Sequence, residues 1–342
     1  YRCSWLMRSV HPKGPRGVDI LLLDKLVPEA LAWLESRHGV EVRPELVTNP
    51  DAMFKAMHRA EAVVLPRKIV VKKEFLDAAP CLRVIARLHG ASDNTDLEAC
   101  RDRRVRVIQA STANVRSNAE YLLASLLLLY RRGIGVALIG ERHADIRLGR
   151  ELNGSVVGIL GLAPAAQALA LMLHSLGVKL IGYDPAVHYT AAIWKQLNIK
   201  PVGLSELMAQ SDAVSVQVIY ASRYKGFLSD KVLAHCRKGQ FWVGISRSTL
   251  FDPQALANAL SDGRIAACML DGAEAGFASR DTPLHALENL YLTPRIGSHT
   301  REARLRASWY VAHRVHEVLS AAQPSGPDSL TSAPMNLEIS VP

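Results

Sequence analysis

From Val18 onward, short apolar runs alternate with amphipathic segments, and this alternation constrains the fold more than any other feature. The runs "VDILLLD", "AEAVVLP", "LRVIARL" and "VRVIQAS" read as strands. Between them, "PEALAWLESRH", "KKEFLDAAP" and "DLEACRDRR" read as helices. Strands that are apolar along their whole length are buried on both faces, the condition of a parallel sheet covered by helices. A long apolar helix, "SNAEYLLASLLLLYRR", follows, with Ser117 and Glu120 at capping-box spacing. A second series then runs "SVVGILG", "VKLIGYD", "KPVGL", "DAVSVQV", "GQFWVGIS", "IAACMLD" and "LYLTP", and "REARLRASWYVAHRVHEVLSAA" closes it as one amphipathic helix.

Two such series in 342 residues predict two α/β domains, each a Rossmann-like doubly wound parallel sheet, with a cleft between them. The net charge is +9, but Arg2, Arg8, Lys13 and Arg16 supply four of those charges before residue 18. The remaining +5 gives little electrostatic reason for nucleic-acid binding. Residues 1–17 lack the apolar core of a secretory signal and read as a flexible basic tail. Pro-rich residues 321–342 read as a C-terminal tail. No apolar run approaches the ~20 residues of a membrane span. Cys3, Cys81, Cys100, Cys236 and Cys268 are scattered, without metal-ligand spacing, as expected of reduced thiols in a cytoplasmic protein.

The segment "VVGILGLAPAAQALALMLHSLGVKLIGYDP" has the strand–turn–helix–strand frame of a dinucleotide site. Asp184 lies 23 residues beyond Gly161, where a carboxylate can bond ribose hydroxyls and favour NAD over NADP. The glycines are incomplete, since Ala163 and Ala166 stand where GxGxxG has its second and third. A methyl group at 163 obstructs the close approach of a pyrophosphate, and Pro164 has no N–H to donate at the helix start. Two readings stand: a weakened NAD site formed by Gly161, Ala163, Pro164, Ala165 and Asp184, or a βαβ unit that binds nothing.

Five ordered blocks then show a resemblance. They are "IARLHGASDNTDLEA", "ANVRSNAEYLLASLLLLYRR", the strand–turn–helix–strand segment above, "GQFWVGISRSTLFDPQALANALSDGRIAACMLDGAE" and "NLYLTPRIGSHTREA". Over about residues 18–320 the chain resembles the NAD-dependent D-2-hydroxyacid dehydrogenases, of the phosphoglycerate and glycerate dehydrogenase kind. The resemblance implies a flavodoxin-like substrate domain, 18–116 plus 299–320, and an NAD-binding Rossmann domain, 117–298, through which two subunits pair. It assigns Arg247 to substrate binding and Asp271 to the cofactor site, and it places Gly90 and Ala91 in the loop that offers amides to a substrate carboxylate.

Where the family has its proton-exchanging histidine, this chain has Arg295. The family's orienting glutamate falls on Gly276, and Glu274, two residues earlier, substitutes only if the loop is rebuilt. His299, His89 and His285 are the histidines that could stand in for the missing one. Ser248 replaces a usual glycine, and Gln217 and Ile219 depart from a histidine–proline pattern.

Three functions follow. The favoured one is a dehydrogenase-like protein with a degraded active site, an anion-binding cleft built on Arg247 and Arg295, and weak or lost NAD binding. The second is an active NAD-dependent oxidoreductase on a 2-hydroxy or 2-oxo acid with altered acid–base chemistry. The third is a dimeric scaffold without cofactor. A small anionic ligand and a homodimer are the expected partners, with neither membrane nor nucleic acid.

Overall fold

The computed structural model describes residues 18–90, 94–132 and 148–321. The tails expected at 1–17 and 321–342 lie outside these residues, save Ala321. The chain divides into two compact units, one made of residues up to Ala113 and from Arg304 onward, the other Asn114–Ala303.

The first unit holds a five-stranded sheet in the order β2-β1-β3-β4-β5, comprising β1 (Ile20–Leu22), β2 (Val40–Val42), β3 (Ala62–Val64), β4 (Val84–Arg87) and β5 (Arg106–Gln109). All its pairings are parallel, and the order is that of flavodoxin-like folds. Alternation of side chains along each strand explains why both faces need cover. Ile20, Leu22, Val64 and Val84 point into one core, with Leu34, Val311 and Val315. Leu21, Val63 and Ile85 point into the other, with Met57, Phe75 and Leu76. Each fully buried aliphatic side chain contributes about 1.5–3 kcal/mol.

The closing helix, Arg301–Ser320, contributes Ala307, Val311, Ala312 and Val315 to the first of these cores. Arg83 caps its C-terminal end by donating to the carbonyls of Val318, Leu319 and Ala321. Unpaired carbonyls at a helix end favour such a cation.

The second unit holds a seven-stranded parallel sheet in the order β12-β11-β10-β9-β6-β7-β8. Its strands are β6 (Val156–Leu160), β7 (Lys179–Tyr183), β8 (Lys200–Pro201), β9 (Ala213–Val216), β10 (Gln240–Gly244), β11 (Ile265–Asp271) and β12 (Leu290–Thr293). Counted within the unit, this is the nucleotide-binding order 3-2-1-4-5-6 with one strand added at the edge. The two-sided burial recurs, with Leu160, Val214 and Trp242 on one face and Val157, Ile159 and Val243 on the other.

The expected capping box is not formed. Helix Val115–Tyr130 begins at Asn114, one residue before its first turn, so Ser117 already lies inside it. The Ser117 hydroxyl donates to the Gly297 carbonyl, and Glu120 pairs with Arg116. Among the described residues no helix is long and apolar enough to cross a membrane.

At the base of the second sheet, Asp212 is only 8% exposed. It accepts from the Val156 amide at 2.9 Å and faces Arg150 at 3.2 Å and Arg237 at 3.1 Å. Asp212→Asn leaves two arginines around a neutral group. Both arginines are about half exposed, so solvent screens the loss, and urea denaturation should show a decrease of roughly 1–2 kcal/mol, mostly from the weakened bond to the Val156 amide.

Of the four described cysteines, only Cys81 is exposed. Burial pushes the Cys100 thiol up to about 11 and the Cys236 thiol up to about 12, and it raises Cys268 as well. Alkylation of the folded protein near neutral pH should therefore label Cys81 and spare those three, as mass mapping of the peptides would show.

Candidate functional site

The turn after β6 is shaped by close packing. Gly161 has φ +93°, and a Cβ there would come within 2.4 Å of the Val218 amide nitrogen. Glycine is therefore required by the neighbouring strand end, whatever the turn binds. The next helix, Pro164–Ser175, starts with proline at its first position.

Its donors are few. Pro164 has none, Leu162 N–H is given to Asp184 Oδ2 at 2.7 Å, and the Ala166 and Gln167 amides turn back on the Ala163 carbonyl. The amides of Ala163 and Ala165 are left to meet a phosphate, with the Ala163 methyl beside them. Asp184 stands at the end of β7, where the spacing placed it. Its oxygens accept from the Leu162 and Ala186 amides, each at 2.7 Å, yet a carboxylate has lone pairs to spare for hydroxyl groups.

Arg247 follows β10 by three residues and is partly buried, with its guanidinium carbon 5.0 Å from the centre of the Tyr220 ring. Its Nε lies 3.8 Å from Glu274 Oε1. Glu274 is held by Ser248. Its Oε2 accepts from the Ser248 amide at 2.8 Å and from the Ser248 hydroxyl, and the Glu274 amide donates back to that hydroxyl at 3.0 Å. The structure thus brings Arg247, Ser248 and Glu274 together. A serine in place of glycine supplies the hydroxyl that fixes the displaced acid.

Asp271, a cofactor candidate by resemblance, is buried and faces the turn that carries Arg295. Its Oδ1 accepts from Thr293 Oγ1 at 2.6 Å and the Ile296 amide at 2.8 Å, while Oδ2 accepts from the Gly297 amide at 2.8 Å. Tyr121 reaches Thr293 Oγ1 at 2.7 Å, and burial pushes its hydroxyl up.

Arg295 occupies the left-handed region at φ +58°, which costs an L-residue roughly 1 kcal/mol. Its side chain lies over Gly272. A Cβ at 272 would stand 2.3 Å from Arg295 Cγ and 3.0 Å from Nε and Cζ. Neither Gly272 as this seat nor Ser248 as the anchor of Glu274 was identified from sequence. The serine–glycine exchange at 248 was the available signal for the second.

His299 and His285 are both exposed, and their amides close local turns onto Ile296 and Thr282. Gly90 and His89 belong to the other unit, where a Cβ on Gly90 would come 2.9 Å from Ser111 Cα. Ala91 lies outside the described residues. Among the described residues, no cluster of three His, Cys, Asp or Glu side chains could hold a metal ion.

Comparison with known proteins bears on this arrangement. Residues 134–297 match the family model described as "D-isomer specific 2-hydroxyacid dehydrogenase, NAD binding domain". The D-3-phosphoglycerate dehydrogenase of Mycobacterium tuberculosis is 33% identical over 307 residues, covering 88% of this chain and 57% of the relative. The chain thus spans little more than half the length of that protein. The (S)-sulfolactate dehydrogenase of Chromohalobacter salexigens is 29% identical, covering 88% of this chain and 98% of the relative. Among solved structures, a Thermus thermophilus protein is 26% identical with a TM-score of 0.75, covering 88% of this chain and 96% of its own.

The contact between Gly272 and Arg295 is open to a double-mutant cycle. Gly272→Ala should cost roughly 1–2 kcal/mol from its left-handed backbone and the displaced arginine together. In an Arg295→Ala background, calorimetric unfolding should show at least ~0.5 kcal/mol less loss. Equal losses in both backgrounds would show that the two residues do not touch.

Proposed function

This chain belongs to the D-2-hydroxyacid dehydrogenase family, and on that premise we propose that its redox chemistry is impaired while it keeps an anion-binding site and a weak affinity for NAD. The observation that carries the reading is Arg295, on the turn where the resemblance puts the proton-exchanging histidine. NAD, when bound, supplies a hydride acceptor. The accompanying proton needs a group that can give and take it near neutral pH, and a guanidinium keeps its proton throughout that range. The depleted donors at the start of helix Pro164–Ser175 support weakened pyrophosphate binding.

One observation favours the second reading, an active oxidoreductase. Arg247 and Glu274 lie 3.8 Å apart, so two charged groups of the family's kind stay together without the histidine. Exposed Leu127, Leu128 and Leu171 support pairing of two chains through the NAD-binding unit, which sedimentation would detect as a doubled mass.

Calorimetric titration with NADH tests the cofactor reading. Binding should be weak and should tighten several-fold in Ala163→Gly, which removes the methyl group at the turn. No binding by either form would favour the scaffold without cofactor. Arg295→His alone should restore little turnover of 2-oxo acids, because the turn and Glu274 are also altered. Strong activity from that single change would show that the phosphate turn is still competent.

A further inference from the structure

We infer that the hollow between helix Pro164–Ser175, β7 and helix Ala192–Gln196 is a receptor for short phosphate chains, held by Lys179, Lys195 and Lys200. The hollow measures about 390 Å³ and is formed within the NAD-binding unit. That volume falls in the ordinary range for small-molecule sites, roughly 300–1,000 Å³. It lies apart from the Gly161 turn. Lys179 opens β7 at the end opposite Asp184, and His174 is in the last turn of the helix that Pro164 begins.

Its charged walls are basic. Lys179, Lys195, Lys200 and His174 line it, and among the described residues no Asp or Glu does. The three lysines are exposed and come from three successive elements, β7, helix Ala192–Gln196 and β8. Lys200 alone could be explained as an edge guard, because β8 is the outermost strand and a charge there discourages pairing with another chain. Lys179 and Lys195 are not on that strand, and like charges gathered in one concavity repel each other unless an anion joins them. Glu206 lies 3.7 Å from Lys200, but both are exposed, so this pair is weak and an anion can displace it.

The backbone around the hollow adds little opposing charge, because its carbonyls are already engaged. Those of Leu173 and His174 accept from the amides of residues 176–178, and those of Trp194 and Lys195 accept from Ile199 and Asn198. The Leu197 carbonyl accepts from His174 Nε2 at 2.8 Å. An ammonium is a compact point charge that meets any phosphate oxygen, whereas carboxylates are best matched by the arginine fork, which this hollow lacks. Nor is there a ring on which a base could stack. Trp194 is only 3% exposed, and its indole N–H donates to the His188 carbonyl at 3.0 Å.

The test is calorimetric titration of the full chain at low salt with tripolyphosphate, pyrophosphate, ATP and citrate. Tripolyphosphate should bind more tightly than pyrophosphate and citrate, ATP no more tightly than tripolyphosphate, and added NaCl should weaken all of them. Lys179→Gln and Lys195→Gln should each weaken tripolyphosphate roughly three- to tenfold, the scale of a lost charge-assisted hydrogen bond. Glu206→Gln should tighten it roughly twofold by releasing Lys200. The His174 ring resonance, identified by its loss in His174→Gln, should shift as tripolyphosphate is added. Absence of binding, or a preference for citrate or ATP, would overturn the inference. So would binding that NADH displaces and the lysine variants leave unchanged, which would place the phosphates at the Gly161 turn.

Discussion

The buried carboxylate of Asp271 holds the candidate site in its observed form. It sits at the end of β11 and gathers three donors from the following strand end, Thr293 Oγ1 and the amides of Ile296 and Gly297. These fix the backbone on both sides of Arg295, and a left-handed residue needs such support to persist. Gly272, next to Asp271, then provides the surface on which the arginine lies. One carboxylate thus links the sheet, the strained turn and the direction of the cation. Charge-assisted bonds to a buried oxygen are among the stronger local constraints available.

The substitutions around this point form two mutually accommodating sets. Arg295 needs space, and Gly272 gives it. Glu274 lies two residues before the position that the resemblance would give an acid, and Ser248 holds it near Arg247 with its amide and hydroxyl. The accommodation is incomplete, because Glu274 Oε1, Gln217 Oε1 and Thr249 Oγ1 are buried without a hydrogen-bond partner among the described residues. At the turn after β6, Pro164 has no N–H to donate, which is the observation behind the proposed weakening of pyrophosphate binding.

Much of the fold could be read from sequence because parallel strands buried on both faces leave continuous apolar runs such as "ILLL" and "VVGIL". Among the elements left unread were β2 and the helix Pro50–Met57, and in the second unit the helices Ala192–Gln196, Leu204–Gln210, Asp230–Leu233 and Pro253–Ser261. β2 has three residues on a half-exposed edge, too short to show a period, and the helix Pro50–Met57 packs mainly through Met53 and Met57. Asp184 was placed by spacing alone, because the βαβ unit has a nearly fixed length. Ser117 misled, because a capping-box pattern also occurs inside a helix, and here its hydroxyl serves a contact 180 residues away. Contacts such as Ser248–Glu274 and Gly272–Arg295, separated by 26 and 23 residues, depend on loop geometry that local sequence does not encode.

In the proposed reading, Arg295 is a fixed cation in place of a reversible proton carrier. The most direct measurement is loss of NADH absorbance in a concentrated solution of this chain with a series of 2-oxo acids, monitored well beyond one equivalent. No consumption above that of the protein-free solution is expected for any acid. Sustained, protein-dependent oxidation of NADH by even one of them would contradict the claim.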